Sequence, residues 1–176
     1  MPQDLLALFK ERHAILDGHF LLSSGLHSPQ YLQCALVLMD PELATRLGHE
    51  LADALRPVLS EAPQVVVAPA MGGILVAHEV ARAFGVRGIF TERQDGTMTL
   101  RRGFQVASGE RVVVVEDALT TGRSTREVLE VVEAQGGRVL AVGTLVDRTL
   151  GDVDLGLPRR SLLRLEVPAY PRAECP

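Results

Sequence analysis

Val112-Val113-Val114-Val115-Glu116-Asp117-Ala118-Leu119-Thr120-Thr121-Gly122-Arg123-Ser124 joins four valines to two acids and a small, hydroxyl-rich turn. Four consecutive β-branched apolar residues suit a strand buried on both faces of a parallel sheet. The turn leads into a predicted helix from Ser124 to Gln135, stopped by Gly136-Gly137. Backbone N–H groups at a helix N-terminus, helped by the helix dipole, form an anion site. The hydroxyls of Thr120, Thr121 and Ser124 add donors, so a phosphate fits there. Glu116 and Asp117 would repel that phosphate, but carboxylates accept hydrogen bonds from hydroxyls and attract Mg²⁺. A ligand with a phosphate at one end and a diol a few ångströms away satisfies both halves, and a ribose 5-phosphate unit has that shape.

The same alternation extends outward from this stretch. Val65-Val66-Val67-Ala68 is a second continuous apolar run, followed by a loop at Pro69-Ala70-Met71-Gly72-Gly73 and a predicted helix over Ile74–Phe84 that ends near Gly85. Gly88–Thr91, Val139–Val146 and Leu162–Val167 read as further strands. Asp40-Pro41 is a helix start, with a capping side chain ahead of a proline at the first helical position. Leu43, Leu47, Leu51 and Leu55 then recur every fourth residue, so 41–56 reads as an amphipathic helix. Strands alternating with helices imply βαβ units and a parallel, Rossmann-like α/β sheet.

Residues before about 40 break the pattern. Leu5, Leu8, Phe9, Ile15 and Leu16 give 4–16 a helical face. Phe20-Leu21-Leu22 and Tyr31-Leu32 read as extended, around a turn at Ser23–Pro29. The expectation is one domain over 1–176, with a hood segment over about 1–40 and an α/β core over about 41–176.

Several function classes are excluded. With 176 residues, 47% hydrophobic and 23% charged, the chain is globular rather than disordered. A net charge of −4 argues against a nucleic-acid partner. Lysine occurs at position 10 alone, which eliminates a P-loop, and no G-x-G-x-x-G follows a strand. Two cysteines, Cys34 and Cys175, make neither a disulfide framework nor a structural zinc site and read as thiols in a reducing cytoplasm. The start carries no basic n-region and no apolar run is long enough for a membrane span, so the expectation is a cytoplasmic protein with no membrane partner. His19 and His27 read as structural residues of the hood. His13, His49 and His78 lie on helical segments without metal-ligand spacing.

Residues 112–124 resemble, without gaps, the phosphoribosyl-diphosphate (PRPP) signature of type I phosphoribosyltransferases. Gly18–Pro29, Arg102-Gly103-Phe104 and Val146-Asp147-Arg148 resemble orotate phosphoribosyltransferases in particular. The resemblance implies a type I phosphoribosyltransferase fold and a pentosyltransferase that joins orotate to PRPP, giving orotidine 5′-monophosphate and diphosphate, with Mg²⁺ held through PRPP and water rather than by a direct protein ligand. A purine-type phosphoribosyltransferase and a non-catalytic PRPP-sensing regulator share the PRPP segment and are the alternatives.

Carried onto this sequence, Glu116, Asp117, Ala118, Leu119, Thr120, Thr121, Gly122, Arg123 and Ser124 bind PRPP, with Glu116 and Asp117 on the ribose hydroxyls. Asp117, Glu116 and Arg93 are the catalytic candidates, Arg93 also facing PRPP. Ala70, Met71, Gly72 and Gly73 form the diphosphate loop. Thr120, Arg148, Tyr31 and Leu32 meet orotate. Where many family members carry lysines, this chain has Ser23, Gly72 and Arg93. A mobile loop is implied between Glu92 and Gly103, bearing Arg101 and Arg102. In the family this loop closes over the partner subunit's site, which implies a homodimer. Orotate is already acidic at N1 in such enzymes, so no strong general base is required.

Overall fold

The structure, a computed structural model, describes residues 4–21, 25–149, 151 and 153–175. Among the described residues the α-helices are α1 (Leu5–Glu11), α2 (Ala35–Leu38), α3 (Pro41–Leu55), α4 (Gly73–Phe84) and α5 (Arg123–Ala134). The strands among the same residues are β1 (Ile15–Leu21), β2 (His27–Leu32), β3 (Val65–Pro69), β4 (Arg87–Gln94), β5 (Thr97–Leu100), β6 (Arg111–Leu119), β7 (Arg138–Asp147) and β8 (Arg159–Arg164). β1 and β2 form an antiparallel hairpin. The other six make one sheet in the order β5-β4-β3-β6-β7-β8. All its pairings are parallel except β4 with β5. The expected parallel α/β fold is therefore present.

The valine runs explain why β3 and β6 lie at its centre. In a strand, successive side chains point to opposite faces, so a continuous apolar run buries both. Val66, Ala68, Val113 and Val115 pack with Leu47, Leu51 and Leu55 of α3 and Val76 and Val80 of α4. Val65, Val67, Val112 and Val114 pack on the opposite face with Val128 and Val132 of α5. Each such side chain contributes on the order of 1.5–3 kcal/mol when fully buried. Two of the core helices, α3 and α4, are set by their ends. Asp40 accepts from the amides of Glu42 (3.1 Å) and Leu43 (3.3 Å), as the Asp-Pro pair predicts. Gly85 ends α4 in the left-handed conformation, φ 71°.

Four expectations need correction. The helix read over 4–16 stops at Glu11: His13 turns left-handed (φ 56°), and Ile15 and Leu16 pair with Leu32 and Tyr31 as strand. Ser28 and Pro29 belong to β2 rather than to a turn. Leu22, Ser23 and Ser24 lie outside the described residues. The loop expected between Glu92 and Gly103 is mostly a hairpin. β4 runs on to Gln94, Asp95-Gly96 turn with φ of 53° and 83°, and β5 returns alongside. Asp-Gly is a strong two-residue hairpin signal because both positions take positive φ cheaply. The last strand is Arg159–Arg164, three residues before the expected start of Leu162, because it pairs with Val142–Asp147 of β7. Among the described residues no helix is long and apolar enough to cross a membrane.

Candidate active site

The carboxyl ends of β3, β6 and β7 converge on one edge of the sheet, where parallel sheets bind ligands. Each functional side chain is set there by a strand end or the first turn of a helix. At the end of β6, Glu116 is buried and Asp117 and Ala118 are half-buried. Gly122 follows with φ 75° and leads into α5 without a side-chain cap. The Arg126 amide closes the first turn on the Gly122 carbonyl (2.9 Å), and the Thr121 hydroxyl accepts from the Arg123 amide (3.4 Å). The amides of Ser124 and Thr125 have no intrahelical partner, as in any first helical turn. Thr120, Thr121 and Arg123 are exposed, Ser124 partly so. The result is an open cradle of N–H and hydroxyl donors suited to a phosphate.

Beside the cradle, burial pushes the Glu116 carboxyl up to about 9, with the Asp117 charge adding to the effect. Burial also raises Asp117 above its ordinary range. Burial thus disfavours two full negative charges on the pair, and Glu116 holds its proton more firmly than an ordinary carboxyl. That removes much of the conflict between two acids and a neighbouring phosphate. A neutral Glu116 can also donate a hydrogen bond as well as accept one.

Ala70-Met71-Gly72-Gly73 crosses from β3 into α4 directly over Asp117. A Cβ built on Gly72 would stand 2.6 Å from both Asp117 carboxylate oxygens. Only a residue without a side chain lets the loop backbone approach so closely.

On the other side, Arg148 follows β7, and its amide donates to the Leu119 carbonyl (2.8 Å). The Arg148 Nε is buried and has no hydrogen-bond partner among the described residues. Burial lowers this guanidinium from its ordinary value, yet arginine stays charged in proteins. A half-buried cation with an unmet donor suits a planar anion chemically. The hairpin β1–β2 reaches the same place. Two residues beyond Leu32, the Cys34 thiol lies 3.7 Å from the Asp117 carbonyl. Tyr31 stacks on Phe20, with ring centroids 5.6 Å apart.

The residues brought together at this edge are Glu116, Asp117, the Thr120–Ser124 turn, Ala70–Gly73 and Arg148, with Cys34 beside Asp117. The arginines of the 92–103 segment are held elsewhere. Arg93 is ion-paired with Glu127 of α5 and donates to the Gly96 carbonyl (3.1 Å). Arg101 and Arg102 both pair with Glu92, at 3.0 and 2.9 Å. In this arrangement β4 carries the Arg93 side chain to the carboxylate of α5.

The Phosphoribosyl transferase domain family matches residues 40–154. The orotate phosphoribosyltransferase of Heliobacterium modesticaldum is 55% identical over 177 residues, covering 100% of this chain and 92% of that protein. The chain belongs to the orotate phosphoribosyltransferase family. A second relative of that name, from Pelotomaculum thermopropionicum, is 52% identical over 173 residues, covering 98% of this chain and 90% of its own. The crystal structure of orotate phosphoribosyltransferase from Aeropyrum pernix superposes with a TM-score of 0.76 at 27% identity, covering 93% of this chain and 94% of that one.

In this family member, three supporting residues escape a reading of the sequence. Arg126 donates to the carbonyls of Thr121 (2.9 Å) and Asp154 (3.3 Å), bracing the cradle from below. Asp147, almost fully buried, accepts from the Thr149 amide (2.9 Å) and pairs with Arg159 (3.5 Å), which fixes the backbone on both sides of Arg148. Cys34 ties the hairpin to β6. Arg126 and Asp147 carry one faint sequence signal, a charge next to or within a matched motif. Cys34 carries none, because its contact spans 83 residues.

Proposed function

We propose that this chain transfers the 5-phosphoribosyl group of PRPP to orotate, giving orotidine 5′-monophosphate and diphosphate, a step of pyrimidine nucleotide synthesis. The observation that carries this reading is the Arg148 guanidinium with its unmet Nε, one strand over from the carboxyl pair and the phosphate cradle. An orotate carboxylate answers that cation; a purine base brings no anion to it.

In this reading the Thr120–Ser124 turn, with Ala118 and Leu119 leading into it, binds the 5′-phosphate. Glu116 and Asp117 accept from the ribose hydroxyls. Ala70, Met71, Gly72 and Gly73 line the departing diphosphate. Thr120 and Arg148 hold orotate, with Tyr31 and Leu32 along the ring. Arg93, Arg101 and Arg102 serve the diphosphate by exchanging Glu127 and Glu92 for it. The bond from ribose C1 to the diphosphate oxygen breaks, and orotate N1 forms the new bond to C1. Positive charge develops on the ribose ring, and the Asp117 carboxylate, in a buried setting, stabilises it there. Exclusion of water by the Gly72 backbone on one side strengthens that interaction.

The donor set fits Mg²⁺. Asp117 offers hard carboxylate oxygens in a cradle that a Cβ at position 72 would fill, and Mg²⁺ favours few carboxylates plus substrate oxygens and water. When bound, Mg²⁺ would supply charge neutralisation on the leaving diphosphate, and Asp117 is the residue that would help hold it. We further propose a cytoplasmic homodimer, for which light scattering of the purified protein is the check.

The test is a turnover assay with PRPP and Mg²⁺, offering orotate, adenine or hypoxanthine. Orotate is expected to be consumed with release of diphosphate. Purine turnover without orotate loss, or no turnover by folded protein, overturns the proposal.

A further inference from the structure

A second group of chemically active side chains lies on the N-terminal hairpin, outside the site above. His19 sits in the irregular stretch of β1 between Asp17 and Phe20, and His27 opens β2. Their rings face each other at 4.8 Å between centroids, tilted by 46°. The His19 Nε2 lies 2.7 Å from the His27 Nδ1. Cys175 returns to them across 156 residues of sequence, its Sγ 3.3 Å from the same His19 Nε2. The C-terminal chain is led there by backbone pairing. The amides and carbonyls of His27 and Tyr170 exchange two hydrogen bonds of 2.8 Å, and the Ser28 hydroxyl donates to the Pro168 carbonyl (3.3 Å).

All three potential ligand atoms lie within 4.8 Å of one another, the one such grouping of histidine, cysteine or acidic residues among those described. We propose that His19, His27 and Cys175 form a binding site for a divalent zinc-type cation that clips the C-terminal segment to the N-terminal hairpin. Imidazole and thiolate ligands select Zn²⁺ over Mg²⁺, which wants hard oxygens. In tetrahedral zinc sites Zn–N is about 2.0–2.1 Å and Zn–S about 2.3 Å, which puts ligand atoms roughly 3.3–3.6 Å apart. The observed separations, from 2.7 Å upward within the 4.8 Å limit, straddle that range. Small side-chain rotations bring all three onto one ion. Three protein ligands leave a fourth position to water. The two cysteines alone make no zinc site. Two histidines from a hairpin supply what the second cysteine cannot, since Cys34 is buried beside Asp117. Because the clip joins segments up to 156 residues apart in sequence, binding also stabilises the folded protein.

The experiment uses the whole 176-residue chain, stripped with a chelator and titrated with Co²⁺ in excess Mg²⁺. The expected result is one equivalent per chain, with a thiolate-to-cobalt charge-transfer absorption that added Zn²⁺ abolishes. Cys175→Ser should remove that absorption, and His19→Ala or His27→Ala should weaken binding by more than about tenfold, the lower end of what even an outer-shell loss costs. Cys34→Ser should leave the absorption in place. Zn²⁺ should raise the Tm of the parent protein but not of Cys175→Ser, with circular dichroism showing both folded. No charge-transfer absorption, or one that survives Cys175→Ser, means the three side chains form only a hydrogen-bonded cluster and overturns the proposal.

Discussion

Replacing Gly72 by alanine separates stability from activity. Gly72 has φ −58° and ψ −39°, ordinary helical values that alanine adopts without strain. Alanine also loses less backbone entropy on folding, worth roughly 0.5–1 kcal/mol. The fold should therefore keep its stability or gain slightly, offset by local crowding. The site should not survive so well. The new Cβ would fall 2.6 Å from both Asp117 carboxylate oxygens, about 0.8 Å short of the 3.4 Å at which ordinary contact begins. The carboxylate ends a short flexible side chain and yields before the backbone does, so it moves by most of that distance. A misplacement near 1 Å can cost about 10²-fold in rate, or close to 3 kcal/mol of transition-state stabilisation. Steady-state kinetics with orotate and PRPP should show kcat/KM lowered about 100-fold, while the Tm stays within a few degrees. The loss should vanish in a double-mutant cycle. With Asp117→Asn already present, itself costing orders of magnitude in turnover, alanine at 72 should add little, because both changes act through one carboxylate. A folded Gly72→Ala protein with parental kcat/KM would refute the geometry, and full additivity would refute the role given to Asp117.

Three further outcomes are expected. Arg148→Ala should raise the KM for orotate about 10–100-fold, the equivalent of a charged hydrogen bond of about 1.5–3 kcal/mol, with the KM for PRPP nearly unchanged; an equal rise for both substrates would place Arg148 elsewhere. Glu116 is protonated in the folded protein up to about pH 9, but an unfolded glutamate ionises near pH 4.5, so the native state binds the extra proton between those values and stability falls as pH rises through that window. Glu116→Gln removes this proton uptake, so its stability relative to the parent should increase between pH 5 and pH 8.5 in denaturant titrations; a difference independent of pH would show that Glu116 ionises normally. Arg126→Ala should raise the KM for PRPP about tenfold by loosening Thr121, and isothermal titration with inorganic phosphate should show the same weakening; unchanged phosphate binding would remove Arg126 from the cradle's support.

Much of this molecule was legible in the order of its residues. The valine runs at 65–67 and 112–115, the Asp40-Pro41 cap and the leucines spaced by four each report a local constraint: burial on two faces, an unmet amide, one face of a helix. Such constraints involve neighbours in sequence, so the parallel sheet, the helices on either side and the acid-then-hydroxyl turn follow without coordinates. Contacts between distant segments do not. That Arg93 lies on Glu127, that Gly72 leaves room for Asp117, that Cys34 touches β6 and that Cys175 meets His19 and His27 all depend on how the elements pack. The ionisation of Glu116 depends on it as well. An acid's charge is set by the water removed around it, and only the assembled sheet and loops decide how much water that is.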